Sequence, residues 1–224
     1  MKHEFEKSRV YLMDCIEGMK QYPDKHFELA IVDPPYGIGE DGSKNHTRGK
    51  LATSKNYKGF SGGDEEAPNS DYFDLLKRKS KNIIIWGANH FIDNIPFNVS
   101  TPCWIVWDKV NGETDFADCE LAWTSYKSAV RQFTYRWQGM LQQNMKDKEH
   151  RIHPTQKPVA LYEWLLHNYA KQGDKILDTH LGSQSSRIAA YKNGFDFTGF
   201  ELDAEYFEKG NKRFDEFKSQ LRMF

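Results

Sequence analysis

The sequence predicts an α/β fold in which a mostly parallel, doubly wound sheet is covered by helices on both faces. Three observations carry this expectation. Strand-like apolar runs alternate with helical stretches at both ends of the chain. Three of those runs end in a carboxylate, Asp33, Asp178 and Glu201, at the strand termini where open sheets of this kind bind ligands. A length of 224 residues suits one domain, 1–224, with a good-sized core and a small insertion.

The elements follow in order. Val10-Tyr11-Leu12-Met13 reads as a short strand, with Asp14 capping a helix that runs to about Tyr22 and is closed by Pro23. Leu29 to Asp33 is the next strand. From Gly37 to Gly63 the apolar pattern vanishes, and glycines are scattered among Lys44, Arg48, Lys50, Lys55 and Lys58. A stretch that long without periodicity reads as a flexible basic loop, functional or disordered. Asp71 to Ser80 is a helix with acidic residues in its first turn and Lys77, Arg78 and Lys79 at its end, which suits the macrodipole.

Asn82 to Trp86 and Cys103 to Trp107 are buried strands, and Glu120 to Tyr126 with Val130 to Trp137 reads as a strand pair. Gln138 to His150 is a polar loop. Pro158 opens a helix to Lys171 with Leu161, Leu165 and Tyr169 on one face and Gly173 past its end. Lys175 to Asp178 is a strand, Ser185 to Asn193 a helix stopped by Gly194, and Phe197 to Glu201 a strand. Asp203 caps a last amphipathic helix that reaches the C-terminus.

Composition excludes little but bounds the class. The net charge of −1 and sequence pI near 6.7 announce no nucleic-acid partner, so charge has to be read locally. Cys15, Cys103 and Cys119 lack metal or disulfide spacing and point to a reducing, cytoplasmic setting. The charged segment Met1 to Arg9 has no apolar core, and no run is long enough to span a bilayer, so neither secretion nor membrane insertion is expected. Trp86, Trp104 and Trp107 read as packing residues, His90 and His167 lack partners at metal spacing, and no metal is expected.

The chemistry-bearing segment is Asp33-Pro34-Pro35-Tyr36. Two prolines fix their own φ, lack N–H donors and hold the preceding residue extended, which fixes Asp33 and bares carbonyl oxygens. An ionised Asp only accepts hydrogen bonds, so Asp33 and the Pro34 carbonyl together suit the two hydrogens of an exocyclic amine, and Tyr36 offers a ring face to a base. A second constellation is Asp178-Thr179-His180-Leu181-Gly182-Ser183, a strand end followed by a turn and a helix start. Gly182 lets a ligand approach the backbone, and Glu201, about 20 residues on, suits ribose hydroxyls. The single glycine argues against a dinucleotide, whose pyrophosphate needs G-x-G-x-x-G. A third segment, His153-Pro154-Thr155-Gln156-Lys157-Pro158, presents a hydroxyl and an ammonium just before a helix. Taken singly, each of these also reads as an ordinary strand end, βα turn or solvated loop.

In this order along the chain, the three segments resemble the β class of DNA amino-methyltransferases, which carry Asp/Asn/Ser-Pro-Pro-aromatic, and the likeness extends over nearly the whole chain. The resemblance implies a Rossmann-like fold dependent on S-adenosylmethionine, with Asp33, Pro34, Pro35 and Tyr36 catalytic. It implies a cofactor site at Asp33, His153, Thr155, Lys157, Asp178, Thr179, Leu181, Gly182, Ser183, Glu201 and Leu202, with the His153–Pro158 segment on the methionine moiety. Thr179, His180 and Gln184 depart from the family's usual D-P-F-x-G-S-G turn.

Asp in the first motif position is the habit of adenine-N6 enzymes. The alternatives are cytosine N4, a glutamine amide, or a non-catalytic DNA-binding protein on the same fold. DNA contacts are expected from the 37–63 loop, with Lys44, Arg48, Lys50, Lys55, Tyr57 and Lys58, and from a short target-recognition region at 127–150. The latter brings Arg131 and Arg136, with Trp137, Lys146 and Lys148 nearby. The resemblance also suggests a homodimer, in the cytoplasm of a bacterial cell or a phage-infected host, in a restriction–modification setting.

Overall fold

A computed structural model of the protein describes residues 1–39, 66–112, 117–138 and 141–221. The basic loop expected at 37–63 falls almost wholly outside them, and with it Lys44, Arg48, Lys50, Lys55, Tyr57 and Lys58.

Among the described residues a nine-stranded sheet runs in the order β1-β2-β9-β8-β3-β4-β6-β5-β7. Its members are β1 (Lys2–Phe5), β2 (Ser8–Leu12), β3 (Phe27–Val32), β4 (Ser80–Trp86), β5 (Trp104–Asp108), β6 (Cys119–Thr124), β7 (Arg131–Thr134), β8 (Lys175–Asp178) and β9 (Asp196–Glu201). The helices are α1 (Cys15–Lys20), α2 (Ser70–Lys79), α3 (Val159–Tyr169), α4 (Ser185–Lys192) and α5 (Ala204–Leu221). The five central strands, β2, β9, β8, β3 and β4, are parallel. Antiparallel partners flank them, β1 on one side and β6 on the other.

Both faces of this sheet are buried, and β4 shows how. Ile83 and Ile85 join a core with α1 and α2 through Met19, Phe73 and Leu76, whereas Ile84 and Trp86 join the opposite core with α3 and α4 through Leu161, Leu165 and Ala189. The two-residue period of a strand thus feeds two cores, which explains a continuous apolar run rather than an alternating one. Helix α1 has six residues, too few to persist alone, and is held by the Asp14 cap and by Met19, which is fully buried. Asp203 caps α5 in the same way, accepting from the N–H groups of Glu205 and Tyr206.

One expectation about the strands needs correction. The segments read as a strand pair, β6 and β7, do not pair with each other: β5 lies between them, antiparallel to β6 and parallel to β7. Local alternation marks both as strands, but which strand enters between them is set by long-range packing. The charged N-terminus also forms a strand, β1, paired residue for residue with β2 from Lys2↔Tyr11 to Phe5↔Ser8. Two short 3₁₀ turns, Ala88–His90 and Ile92–Asn94, follow β4 and had no sequence signal.

Trp86 and Trp107 are buried in the sheet, Trp104 half-buried, and His90 and His167 exposed. All three cysteines are free, with Cys103 buried and Cys119 exposed. Among the described residues no helix is long and apolar enough to cross a membrane.

Candidate active site

Three adjacent strands place the three strand-terminal carboxylates side by side. β3 pairs with β8 in parallel through Leu29↔Ile176 and Ala30↔Leu177, and β8 pairs with β9 up to Asp178↔Gly199. Asp33, Asp178 and Glu201 therefore leave the same edge of the sheet from neighbouring tips, the crevice position for ligands of such folds.

At the β3 tip each oxygen of the Asp33 carboxylate accepts one hydrogen bond, which leaves acceptor capacity on both. Tyr36 donates its hydroxyl to Oδ1 at 2.8 Å, and the Lys157 ammonium donates to Oδ2 at 2.6 Å. Lys157, only 5% exposed, also reaches the Tyr36 hydroxyl at 3.2 Å and forms an ion pair with Glu120 on β6 at 3.0 Å. Lys109 pairs with the other Glu120 oxygen. Two part-buried carboxylates thus meet two ammonium groups, which balances their charge where water is scarce.

The titration behaviour follows. Burial raises the Asp33 carboxyl above its ordinary value, with Lys157 pulling it back down and Glu120 pushing it further up. Burial also works against charge on Glu120, but Lys157 and Lys109 outweigh it and hold that carboxyl at about 2. Burial opposes the Lys157 charge as well, and is overcome by Asp33 and Glu120, so its ammonium persists above the ordinary lysine range. Burial, with Asp33 beside it, sends the Tyr36 hydroxyl well up, so it stays protonated and remains a donor.

The Tyr36 ring is fixed from two sides. His90 stacks on it at 5.1 Å between centroids and 15° between planes. Gly87 lies so close that a Cβ there would overlap the ring, and its φ of +69° is one that other residues rarely adopt. A cleft of about 450 Å³ opens beside the ring, lined by Tyr36, Gly37, Ala67, His90 and Phe91 among others. That volume is ample for a nucleobase, since small-molecule sites run to roughly 300–1,000 Å³.

The second half of the site is the β8–α4 turn. Asp178 accepts from the His180 N–H at 3.0 Å and the Ser186 hydroxyl at 2.5 Å, and burial pushes its carboxyl up to about 7. Glu201 accepts three backbone N–H groups, from Gly182 at 2.7 Å, Leu202 at 3.0 Å and Asp203 at 2.9 Å. A carboxylate offers about four acceptor sites, so Glu201 has one left for a ligand hydroxyl. Gly182 takes φ +46° beneath the His153 imidazole, which packs on Tyr206 at 4.3 Å and is pushed down to about 3 by burial. Leu202 is exposed next to Glu201 despite its apolar side chain. An acidic acceptor, a glycine in the left-handed region and a bare apolar side chain together fit a nucleoside-bearing cofactor.

The remaining residues expected at this turn have partners of their own. Thr155 is exposed and bonds the His153 ring at 3.0 Å. Thr179 is buried between the Tyr72 hydroxyl at 2.7 Å and the His180 ring at 2.9 Å. Leu181 is buried with its N–H on the Phe200 carbonyl, and Ser183 bonds Ser185 while its carbonyl takes Arg213. Arg131 and Arg136 are exposed at the β7 end of the sheet, four strands from β3.

Sequence reasoning missed Glu120, Lys109, Gly87 and Tyr72. The one available signal was Glu120 itself, a lone carboxylate opening the apolar run Leu121-Ala122-Trp123. Among the described residues no group of His, Cys, Asp and Glu side chains could hold a metal ion.

A carboxylate and a ring held at an Asp-Pro-Pro-Tyr strand end, next to a nucleoside-type turn on the adjoining strand, are the arrangement of a group-transfer enzyme of the amino-methyltransferase class. The model of the N6/N4 DNA methylase family matches residues 85–212, more than half of the chain, and the chain belongs to that family. It is 24% identical to the type II methyltransferase M.HinfI of Haemophilus influenzae over 92% of this chain and 67% of that protein. Among solved structures, the M1.HpyAVI–SAM complex matches with a TM-score of 0.53 at 20% identity, over 91% of this chain and 98% of that one. The cytosine-N4-specific PvuII DNA methyltransferase matches with a TM-score of 0.60 at 13% identity, over 96% and 91%.

Proposed function

We propose that this protein methylates the N6 amino group of adenine in DNA, with S-adenosylmethionine as methyl donor. The observation that carries the reading is the Asp33 carboxylate at the β3 tip, next to the Tyr36 ring and one strand away from the Asp178 turn.

The amino nitrogen of adenine is a poor nucleophile because its lone pair is conjugated with the ring. Asp33, with the Pro34 carbonyl, accepts its hydrogens, favours a pyramidal nitrogen and stabilises the positive charge that grows on it during attack. S-adenosylmethionine supplies an electrophilic methyl on a sulfonium centre, and the residues that would hold it are Asp178, Gly182, Glu201 and Leu202 with the His153–Lys157 segment. When bound, it would give up that methyl to the nitrogen and leave as the neutral thioether, and the Asp33 carboxylate, already hydrogen-bonded to the amine, would take the proton that the nitrogen sheds. Lys157 keeps Asp33 ionised and in place up to that transfer. The base must leave the duplex stack at a cost of a few kcal/mol, which stacking on the Tyr36 ring partly offsets. Arg131 and Arg136, with the basic residues of 37–63, supply phosphate contacts, and 127–150 serves as the target-recognition region.

Cytosine N4 is the second reading, favoured by the likeness in fold to the PvuII enzyme. Incubation with labelled S-adenosylmethionine and unmodified DNA, followed by nucleoside analysis, separates the two. N6-methyladenine supports the proposal, N4-methylcytosine replaces the base assignment, and unlabelled DNA refutes the activity.

A further inference from the structure

We propose that Glu120 is a positioning residue for the methyl-transfer site: it holds the Lys157 ammonium by a second contact and so leaves Asp33 able to receive the target amine. The proposal rests on the amine-binding reading of Asp33 above.

Part of the Asp33 acceptor capacity is already taken. Its Oδ1 accepts from Tyr36 and its Oδ2 from Lys157. A carboxylate held by a single buried ammonium, 2.6 Å away, is a weakened acceptor, because much of its charge is committed to that one charge-assisted bond. Lys157, however, is not held by Asp33 alone. Glu120 stands 3.0 Å from the same ammonium, and its charge is secured by Lys109 on its other oxygen. The ammonium therefore has a second anionic partner when an amine arrives at Asp33, and no buried cation is stranded by the exchange. A lysine without that partner would remain clamped on Asp33. Glu120 itself sits on β6, two strands from β3, and reaches Asp33 through Lys157 and through the field of its own charge.

The ionisable groups electrostatically coupled to this cluster come from every side. Among the described residues Asp178 lies on β8, Tyr72 on α2 and Tyr162 on α3, beside Tyr36, Lys157, Glu120 and Lys109. Changing Glu120 to Gln removes one negative charge and lets Lys157 bind Asp33 alone, and both effects ease Asp33 ionisation. Changing Lys157 to Gln, or Lys109 to Met, acts in the opposite sense. Opposed shifts are a signature that mere loosening of the fold does not give.

The test is carbon-13 NMR titration of the Asp33 carboxyl in the full chain without ligand, beside kcat and KM for methyl transfer to DNA. Glu120→Gln is expected to move the Asp33 titration to lower pH and to lower kcat about tenfold, the factor carried by ~1.4 kcal/mol, with KM for S-adenosylmethionine little changed. Lys109→Met, altered at a partly exposed position, is expected to move the titration to higher pH and serves if Glu120→Gln does not fold. An unmoved Asp33 titration in both variants, or a wild-type kcat in Glu120→Gln, overturns the proposal. Wild-type protein that labels no DNA while the titrations shift as stated overturns instead the methyl-transfer reading and leaves the charge coupling standing.

Discussion

The Asp33 carboxylate and the Lys157 ammonium lie 2.6 Å apart although 124 positions separate them in the chain. Strand β3 brings one, the extended segment before α3 brings the other, and the contact joins the first and third motifs of the sequence in a single ion pair. Because Lys157 is buried and Asp33 is part-buried beside it, removing either leaves a charge that the fold must still accommodate.

Asp33→Ala should lower methyl transfer at least ~100-fold, since it deletes the acceptor aimed at the developing positive charge. S-adenosylmethionine binding should remain measurable by calorimetry, because the contacts of Glu201, Gly182 and Asp178 do not involve Asp33. Near-full activity in this variant would remove Asp33 from the chemistry.

Lys157→Met strands Asp33 and Glu120 together as like charges. The cost expected for breaking a buried pair is about 3–5 kcal/mol, and denaturant unfolding at pH 7 measures it. Part of the loss should return at low pH, where Asp33, already raised by burial, takes up a proton. A variant as stable as the parent across this range would mean that water reaches the cluster.

The parts of this site that the sequence made legible are those written in contiguous residues. Asp33, Asp178 and Glu201 each end an apolar run, so their place at strand tips followed from local pattern, and Gly182 and the Asp14 and Asp203 caps were legible for the same reason. The role of Lys157 on Asp33 was not, because it depends on which strand tip the His153–Pro158 segment packs against. Glu120 was hidden further, since its strand pairs with β5 and β4 rather than with β7, and only that order carries its carboxylate to Lys157. Gly87 carried no signal at all: its need arises from the Tyr36 ring, which comes from a different strand end.

Gly87→Ala is the test of that last contact. A Cβ would overlap the Tyr36 ring, and the backbone there has φ +69°, so the substitution combines strain with displacement of the ring. Methyl transfer should fall together with DNA affinity, while S-adenosylmethionine affinity stays near the parent value. Unchanged kinetics would show that Tyr36 is free to move without consequence.

Asp178 makes binding and stability depend on pH in opposite directions. Its carboxyl sits at about 7 in the folded chain against an ordinary 3.8, because burial opposes the charge. A folded value above the unfolded one means that its stabilising contribution is complete below pH ~4 and is lost as pH rises through about 7. Asp178→Asn should therefore raise the melting temperature at pH 8 and change it little at pH 4. If the ionised carboxylate faces the cationic part of S-adenosylmethionine, affinity in the parent should increase as pH rises through 7, with proton release on binding detectable as a buffer-dependent heat. Asp178→Asn should flatten that dependence, and a flat profile in the parent would place the donor's positive charge elsewhere.

Salt dependence tests the DNA-facing residues. Arg131 and Arg136 are both exposed, so their guanidinium groups can reach phosphates. Each phosphate contact contributes about 0.9 to the slope of log affinity against log salt. Arg136→Ala should lower that slope by roughly this amount and weaken binding to all duplex sequences alike, because a phosphate contact carries no base information. An unchanged slope would move the duplex away from β7 and onto another face of the protein, whereas a loss confined to one DNA sequence would make Arg136 a reader of base edges instead.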